Sequence, residues 1–329
     1  MKEITSPEAF IEEKESENSL RPKDFSEFIG QNKLVENLKI FIEAAKKRNE
    51  QLDHILFSGP PGLGKTTLAG IINREMGSNI LSTSGPILER PGDLASILTA
   101  LKEFDCLFID EIHRINKAVS ELLYSAMEDF RIDILLGKGA SARSIKLSLP
   151  RFTLIGATTR QGLLASPLRN RFGISEVVSF YSEDELFSII LRSSKILNIE
   201  TEEDAACIIA KRSRGTPRIA NRLLRRIRDY AQVKGKGKIT EDIASEGLMR
   251  LEVDRFGLDS MDRRILDILI NKFQGRAIGI KTLTASLEED ESTISEVYEP
   301  YLLRIGFIER TPKGRKATES AINYLSFKK

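Results

Sequence analysis

The chain has 329 residues, more than a single hydrophobic core usually serves, so two or three domains are expected. Its composition, 41% hydrophobic and 30% charged with a formal net charge of +2, is typical of a soluble globular protein. No apolar run approaches the ~20 residues of a membrane span. Cys106 and Cys207 stand alone, which excludes a disulfide framework and fits a reducing compartment. The acidic amino terminus lacks a secretory signal, so a cytoplasmic location is predicted.

The first elements along the chain surround a phosphate-binding pattern. Residues 1–19 are rich in glutamate, and we expect a loose arm there. Apolar spacing predicts a helix at about 32–47, and a short apolar run at 54–57 predicts a buried strand. Next comes GPPGLGKTT at 59–67, and then an apolar helix. The order of strand, loop and helix is the context in which G-x-x-x-x-G-K-[ST] marks a phosphate-binding loop.

The residue types of this loop predict an ATP and Mg²⁺ site. Glycines allow a tight turn whose N–H groups point at phosphate oxygens. Lys65 is placed to reach the β- and γ-phosphates, and the Thr66 hydroxyl to bind Mg²⁺. The start of the following helix adds a partial positive charge.

Later segments predict a parallel α/β sheet with the nucleotide at the carboxyl ends of its strands. We predict Asp93 as the N-cap of a helix that ends near Leu101. Two runs joined by the glycine-containing segment 137–142 predict a β-hairpin. The predicted strands are 80–82, 106–110, 132–136, 144–149 and 152–159, with a further helix at 117–129.

From residue 182 the pattern becomes helical, with predicted helices at 183–197, 202–213, 217–233 and 240–250. A second boundary is predicted near 254. Beyond it, helices at 259–273, 279–287 and 291–305 precede a short β pair at 306–318, which is a winged-helix outline. The predicted fold is therefore α/β: a P-loop parallel-sheet domain at 20–181, an all-α domain at 182–254 and a winged helix at 255–329.

Two carboxylates and a threonine are the candidate partners of the phosphate loop. The apolar run 106–109 is followed at once by Asp110, for the metal, and Glu111, for the attacking water. Thr158 ends another strand, where its hydroxyl can face the γ-phosphate or be an ordinary strand-end threonine. His113 could sense or relay, but a surface or packed histidine is the favoured interpretation.

Three groups of basic residues each have two possible roles, and the sequence does not choose between them. Arg169 and Arg171 are either a solvated pair or a source of an arginine aimed at a neighbour's γ-phosphate. Arg218 heads a basic helix, which is either a solvated face or faces phosphate. Basic residues of the C-terminal module suit DNA phosphate contact, and the alternative is a protein-interaction module; these residues are Arg304, Arg310, Lys313, Arg315 and Lys316.

Taken together, these motifs resemble the AAA+ ATPases and, more closely, the RuvB family of Holliday-junction branch-migration motors. The resemblance covers the chain from about residue 20 almost to its end. The stretches that carry it are LRP at 20–22, GPPGLGKTT at 59–67, FIDEIHR at 108–114, ARSIKL at 142–147, GATTR at 156–160, SPLRNRFG at 166–173, GTPR at 215–218, GFI at 306–308 and RTPKGR at 310–315.

The resemblance implies roles that the pattern alone does not supply. It implies Thr158 as sensor 1, Arg218 as sensor 2 and Arg171 as an arginine finger acting in trans. Lys65, Asp110 and Glu111 complete the implied catalytic set, with Mg²⁺ on Thr66 and Asp110. The remaining implied ATP contacts are Leu20, Arg21, Gly62, Leu63, Gly64, Thr67, Glu128, Asp129, Phe130 and Tyr181.

The resemblance also implies the partners. They are double-stranded DNA at four-way junctions, held by Arg310 and Arg315, and RuvA, bound through the hairpin at about 132–149. A homohexameric ring is implied, with the resolvase RuvC as a further candidate partner and no membrane. Two other functions remain open at this stage: a clamp-loader-type ATPase, which would more often end in a helical collar, and a nucleotide-gated DNA-binding regulator.

Overall fold

The computed structural model describes residues 19–136 and 143–326 of the chain. They form two compact units. One contains Arg21–Gly59 and Leu63–Ser179, and the other contains Leu20, Pro60–Gly62 and the chain from Phe180 onward. The acidic arm at residues 1–18 lies outside the described residues. Within the described part of the chain, no helix is both long enough and apolar enough to cross a membrane.

The first unit is built on a parallel sheet of five strands in the order β2-β3-β6-β1-β7. This confirms the predicted α/β class. Its strands are β1 (Ile55–Ser58), β2 (Ile80–Ser84), β3 (Cys106–Asp110), β6 (Thr153–Thr158) and β7 (Ile174–Val177), and its α-helices are Asn32–Arg48, Lys65–Met76, Pro91–Ala100, Lys117–Asp129 and Ser166–Arg169.

The central strands read as continuous apolar runs because helices cover both faces of the sheet. Every residue of β1 and β6 is buried. The strand β7 was not predicted. Only the first of its four residues, Ile174, is buried, and Ser175 and Glu176 are polar, so no apolar run marks it. It pairs in parallel with β1, from Ile55 opposite Ile174 to Ser58 opposite Val177.

This unit also contains a two-stranded antiparallel hairpin, as predicted. Its strands are β4 (Arg131–Leu136) and β5 (Arg143–Ser148), with Arg131 opposite Ser148 and Leu136 opposite Arg143. Ile132 at its base is buried. The predicted tip, residues 137–142, lies outside the described residues.

The prediction that Asp93 caps a helix was wrong. The helix begins two residues earlier, at Pro91, because proline fits the first helical position, where its missing N–H costs nothing. Asp93 is instead the third helical residue. Its carboxylate accepts the N–H of Arg90 at 2.8 Å, so it stabilises the same helix end from inside the first turn.

The second unit is mainly helical and ends in a winged helix. The predicted wing is confirmed as β10 (Ile308–Thr311) paired with β11 (Gly314–Ala317). The last helix and the short parallel pair β8 (Glu200–Thr201) and β9 (Lys238–Ile239) were not predicted. Its α-helices are Glu183–Ile196, Glu203–Lys211, Pro217–Lys234, Glu241–Arg250, Ser260–Asp267, Ile280–Leu287, Glu291–Thr293, Glu299–Arg304 and Glu319–Ser326, with π-helical segments at Ile268–Lys272 and Ile294–Tyr298.

A buried ionic cluster joins the helical part of this unit to its winged helix. Arg214 is 7% exposed and pairs with the fully buried Asp262 and, at 3.1 Å, with Asp259. Its Nε donates to the Gly257 carbonyl oxygen at 2.7 Å, and its guanidinium lies 5.3 Å from the Tyr301 ring centroid. Burial raises the pKa of Asp262 to about 7, against the opposing effect of Arg214. Asp262 Oδ1 has no hydrogen-bond partner among the described residues, which agrees with a carboxyl that readily holds a proton.

This cluster predicts a specific pH dependence of stability. The folded pKa of Asp262 lies above the ordinary value of 3.8, so the folded state binds the proton more tightly than the unfolded chain. The resulting stabilisation is fully present below about pH 4 and is lost as the pH rises through 7. Between about pH 6 and pH 8, the free energy of unfolding should fall by roughly 1.4 kcal/mol relative to Asp262→Asn. Urea titrations at each pH measure this.

Asp267→Asn is the matched control, because Asp267 is an exposed carboxylate on the same helix. It should follow the parent protein at every pH. A constant difference between the parent and Asp262→Asn over this range contradicts the assignment.

Candidate functional site

Three neighbouring strands bring the predicted catalytic residues together at their carboxyl ends. β6 lies between β3 and β1, and all three are parallel. Asp110 ends β3, Thr158 ends β6 and Gly59 follows β1. The Gly59 N–H donates to the Thr158 carbonyl oxygen at 3.2 Å. Adjacent strands are about 4.8 Å apart, so the ends of β1 and β3 lie about 10 Å apart on the same edge.

The phosphate loop has a backbone that only glycine adopts easily. Gly59 and Gly64 have φ angles of 138° and 103°. A β-carbon on Gly59 would lie 2.3 Å from the Val178 carbonyl oxygen, so no larger residue fits there. Such turns direct successive N–H groups to one side, which suits phosphate oxygens. Leu63 is fully buried and anchors the loop.

Lys65 and the two threonines open the helix Lys65–Met76. The Lys65 side chain is largely buried, and its Nζ donates to the Gly59 carbonyl oxygen at 2.7 Å. The ammonium is therefore already held inside the loop, where a phosphate can accept from it. Thr66 and Thr67 occupy the first turn, next to free N–H groups and the positive end of the helix dipole.

The donor atoms at this edge fit Mg²⁺. The Thr66 hydroxyl and the Asp110 carboxylate are oxygen ligands of the kind Mg²⁺ prefers. The Oδ1 atom of Asp110 accepts the N–H of Glu111 at 2.9 Å, which fixes the carboxylate orientation. Glu111 itself has a φ of 49°, so the chain turns sharply as it leaves β3. Gly85 allows this turn, because a β-carbon there would lie 2.3 Å from the Glu111 carbonyl oxygen.

A chain of polar contacts connects the end of β6 with Glu111. The Thr158 hydroxyl lies 2.9 Å from His113 Nδ1 and accepts the N–H of Arg160 at 3.0 Å. His113 Nε2 lies 3.5 Å from Glu111 Oε2, and the Thr159 hydroxyl lies 3.4 Å from the same oxygen. The His113 side chain is 5% exposed. Sequence interpretation favoured a surface or packed histidine over a sensing or relaying one, yet His113 contacts both the predicted sensor and the predicted water-activating residue.

Thr159 is a residue that the sequence interpretation overlooked. Thr158 is fully buried and its hydroxyl faces His113 and Arg160, whereas the Thr159 hydroxyl faces the Glu111 carboxylate. The signal was present in the sequence: successive residues of a strand point to opposite faces. Thr158 and Thr159 therefore point to opposite faces, and only Thr158 points into the buried core. The assignment of the sensor to Thr158 stays a prediction, with Thr159 beside it as a second candidate.

Arg171 lies near the amino-terminal ends of the strands, whereas the phosphate loop follows the carboxyl end of β1. It precedes the first residue of β7, Ile174, whose N–H donates to the His54 carbonyl oxygen at 3.1 Å. His54 immediately precedes β1, so this region is at the amino ends of the strands. A strand of four residues spans about 13 Å, which separates Arg171 from the residues at the carboxyl ends.

Contacts within its own unit hold Arg171 near the surface. Its Nη2 lies 2.6 Å from Glu128 Oε2, its Nη1 donates to the Pro167 carbonyl oxygen at 2.7 Å, and its guanidinium lies 4.9 Å from the Tyr124 ring centroid. The side chain is 29% exposed. Arg171 Nε is buried and has no hydrogen-bond partner among the described residues. The contacts of its Nη atoms orient the guanidinium, and the 29% exposure leaves the side chain partly accessible.

The other residues implied at a subunit interface also lie near the amino-terminal ends of the strands. Asp129 pairs with Arg131 at 3.1 Å, and the Phe130 ring centroid lies 6.2 Å from that of His54. His54 accepts the Leu154 N–H at 2.9 Å on Nδ1 and lies 3.1 Å from the Met127 carbonyl oxygen through Nε2. Burial lowers the pKa of His54, which favours this neutral form. Its role is to fix the helix end that carries Glu128.

The remaining implied nucleotide contacts lie mostly in the second unit. The N–H of Arg218 donates to the Gly62 carbonyl oxygen at 3.3 Å, and a β-carbon on Gly62 would lie 2.9 Å from Thr216 Cγ2. Leu20 and Tyr181 are buried, each about 2% exposed. The Leu20 carbonyl oxygen accepts from Arg192, and the Tyr181 N–H donates to Gly215, both at 2.9 Å. Arg21 belongs to the first unit and is partly exposed.

The two wing arginines predicted to bind DNA share one buried carboxylate. Arg310 and Arg315 are directly opposite each other in the β10–β11 register. Their Nε atoms donate to Glu299 Oε1 at 2.8 and 2.9 Å. The Arg310 side chain is 58% exposed and that of Arg315 is 20% exposed, so Arg310 is the more accessible of the two.

Known proteins match the chain along almost its whole length. Family models match in succession: the Holliday junction DNA helicase RuvB P-loop domain at residues 20–178, the RuvB AAA lid domain at 181–254 and the RuvB C-terminal winged helix domain at 255–326. The structure of the Thermotoga maritima RuvB Holliday junction branch migration motor is 51% identical, with a TM-score of 0.86, over 94% of this chain and 98% of that chain. Two variants of that protein are 52% identical, with TM-scores of 0.87 and 0.88, over 93% of this chain and 98% of theirs.

These matches do not support the clamp-loader or regulator alternatives, since the winged helix itself is matched. The family couples ATP hydrolysis to the movement of DNA junctions. This chain belongs to the RuvB family of Holliday junction branch migration ATPases.

Proposed function

We propose that the protein works as a homohexameric ring in which ATP binds between neighbouring copies and each copy supplies Arg171 to the next. The observation that carries this proposal is the position of Arg171 near the amino-terminal ends of the strands, at the opposite end of the sheet from its own phosphate loop. An accessible guanidinium held there by Glu128 and Tyr124 is placed for a second molecule. Such an arginine would stabilise charge in the transition state.

In this arrangement the chain's residues divide the work of ATP hydrolysis. Thr66 and Asp110 would hold Mg²⁺, which would neutralise phosphate charge. Lys65 binds the phosphate oxygens, and Glu111 orients the attacking water and accepts its proton. His113 and Thr159 orient the Glu111 carboxylate. Thr158 is positioned to pass a change at the γ-phosphate to His113.

The second unit supplies the nucleotide lid and the DNA contact. We propose that Arg218 responds to the nucleotide state. Leu20, Arg21 and Tyr181 would line the adenine end of the nucleotide site. We also propose that the chain has three domains, at 20–181, 182–254 and 255–329, preceded by an acidic arm at 1–19. Arg310 and Arg315 would bind duplex phosphates without reading sequence.

The hairpin β4–β5 is the proposed RuvA contact. It stands apart from the five-stranded sheet, and Ile145 on β5 is 42% exposed. Both strands of a two-stranded ribbon are edge strands, and such edges suit pairing with an extended segment of a protein partner. RuvC is a further partner in the proposal, and a protein that acts on chromosomal junctions in this way is expected in the cytoplasm.

Continuous ATP turnover on DNA tests this function. With ATP and duplex DNA, we expect assemblies with six times the 37.0 kDa chain mass and steady phosphate release over many cycles. A nucleotide-gated switch instead releases phosphate about once per binding event. A single burst followed by no turnover, in assembled protein, contradicts the motor function.

A further inference from the structure

The wing places two positive charges against each other. Arg310 and Arg315 are directly opposite in the antiparallel pair, where like charges normally destabilise a sheet. The backbone of Arg315 cannot move away, because it exchanges hydrogen bonds with Ile278 at 2.8 and 2.9 Å. Gly314 is pressed against the same segment, since a β-carbon there would lie 2.0 Å from the Ile278 carbonyl oxygen. The repulsion must therefore be compensated by another group.

Glu299 is that group. It is 1% exposed and is the first residue of the helix Glu299–Arg304. Burial raises the pKa of Glu299, but the hydrogen bonds and charges of Arg310 and Arg315 outweigh burial and hold the pKa below its ordinary value. The carboxylate is thus ionised at neutral pH, and the cluster of Glu299, Arg310 and Arg315 keeps one net positive charge.

The two arginines use this carboxylate differently. Arg315 donates from Nε and Nη2, at 2.9 and 3.2 Å, and is mostly buried. Arg310 donates to Glu299 from Nε, at 2.8 Å, and is mostly exposed. Holding an arginine by its Nε fixes the plane of the guanidinium while its Nη atoms stay available for a phosphate.

We propose that Glu299 is a positioning residue for DNA binding: it fixes the guanidinium of Arg310 so that its Nη atoms meet a phosphate of the duplex. Arg315 anchors Glu299 from the other side. This inference rests on the proposed contact of the wing with DNA. It narrows the proposed pair of phosphate contacts to one: Arg310 contacts phosphate, and Arg315 instead holds the carboxylate in place.

Charge and position make opposite predictions for this residue. Glu299→Gln removes a negative charge from a surface that binds a polyanion, so long-range electrostatics alone would strengthen binding. If Glu299 positions Arg310, the same change weakens binding, because a neutral amide oxygen holds the guanidinium less strongly than a carboxylate does. Glu299→Asp keeps the charge and shortens the reach by one methylene, so charge alone predicts no change and positioning predicts weaker binding.

The test is fluorescence anisotropy of the full-length protein with a short labelled duplex, over salt concentrations from about 50 to about 200 mM. We expect Glu299→Gln and Glu299→Asp each to weaken binding roughly five- to tenfold. Glu309→Gln is the matched control, because it removes an exposed carboxylate on the same wing, 3.8 Å from Lys316. It should leave binding unchanged or slightly tighter. Thermal unfolding of each variant shows whether the winged helix is folded. If Glu299→Gln does not fold, Glu299→Asp decides between charge and positioning.

Arg310→Gln separates failure of this inference from failure of the DNA contact. If Arg310→Gln leaves binding unchanged, the proposed contact itself is wrong. If it weakens binding while Glu299→Asp binds as the parent does, only the positioning role is wrong. The double variant Arg310→Gln with Glu299→Asp should bind no more weakly than Arg310→Gln alone, since the carboxylate acts through that arginine. A further additive loss contradicts positioning and indicates a general structural role.

Discussion

Glu111→Gln should bind ATP as the parent protein does and hydrolyse it roughly 100- to 10,000-fold more slowly. Glutamine keeps the size of the side chain and can still contact Thr159 and His113, but it cannot accept a proton from water. The loss should therefore appear in kcat with little change in the nucleotide Kd. Steady-state phosphate release and equilibrium binding of a labelled ATP analogue measure the two quantities.

Glu121→Gln is the control for that variant. Glu121 lies in the same unit, exposed on the helix Lys117–Asp129 and 3.8 Å from Lys117. It should hydrolyse ATP at the parent rate. If Glu111→Gln kept more than about a tenth of the parent kcat, Glu111 would not be the group that activates water.

Arg171→Ala should lower ATP turnover by roughly 1,000-fold or more in the assembled ring while nucleotide binding survives. The guanidinium would act on a γ-phosphate bound to the neighbouring copy, so its loss affects the transition state and not the ground state. Arg169→Ala is the matched control, since Arg169 is an exposed arginine two residues earlier. It should retain near-parent turnover.

Mixing two inactive variants tests whether Arg171 acts in trans. A ring assembled from Arg171→Ala and Glu111→Gln subunits contains some interfaces with an intact Glu111 from one copy and an intact Arg171 from the next. These interfaces should recover ATP turnover that neither variant shows alone. If the mixture stays as inactive as its components, while Glu111→Gln mixed with parent subunits forms rings normally, Arg171 serves its own site.

The sequence predicted those parts of the fold whose cause is local. The phosphate loop was predictable because GPPGLGKTT has a fixed pattern between a strand and a helix. The strand that ends in Asp110 was predictable because helices cover both of its faces and leave a continuous apolar run. By contrast, β7 has four residues, pairs only at the edge of the sheet and includes a polar position, so its sequence carries little strand signal.

The site was less predictable because its contacts depend on distant segments. The left-handed turn at Glu111 aims its carboxylate back towards His113, and the β3–β6 pairing brings Thr158 to the other side of the same ring. Neither follows from spacing. In the same way, Glu299 precedes Arg310 by eleven residues, and only the pairing of β10 with β11 brings both wing arginines onto its carboxylate.

The most direct test of the whole account is branch migration itself. A synthetic four-way junction, labelled on one strand, is incubated with the protein, RuvA and ATP, and the separated duplex arms are quantified over time. The account predicts steady conversion of the junction with the parent protein and none with Glu111→Gln. Vigorous ATP turnover on DNA without any conversion of the junction would contradict it.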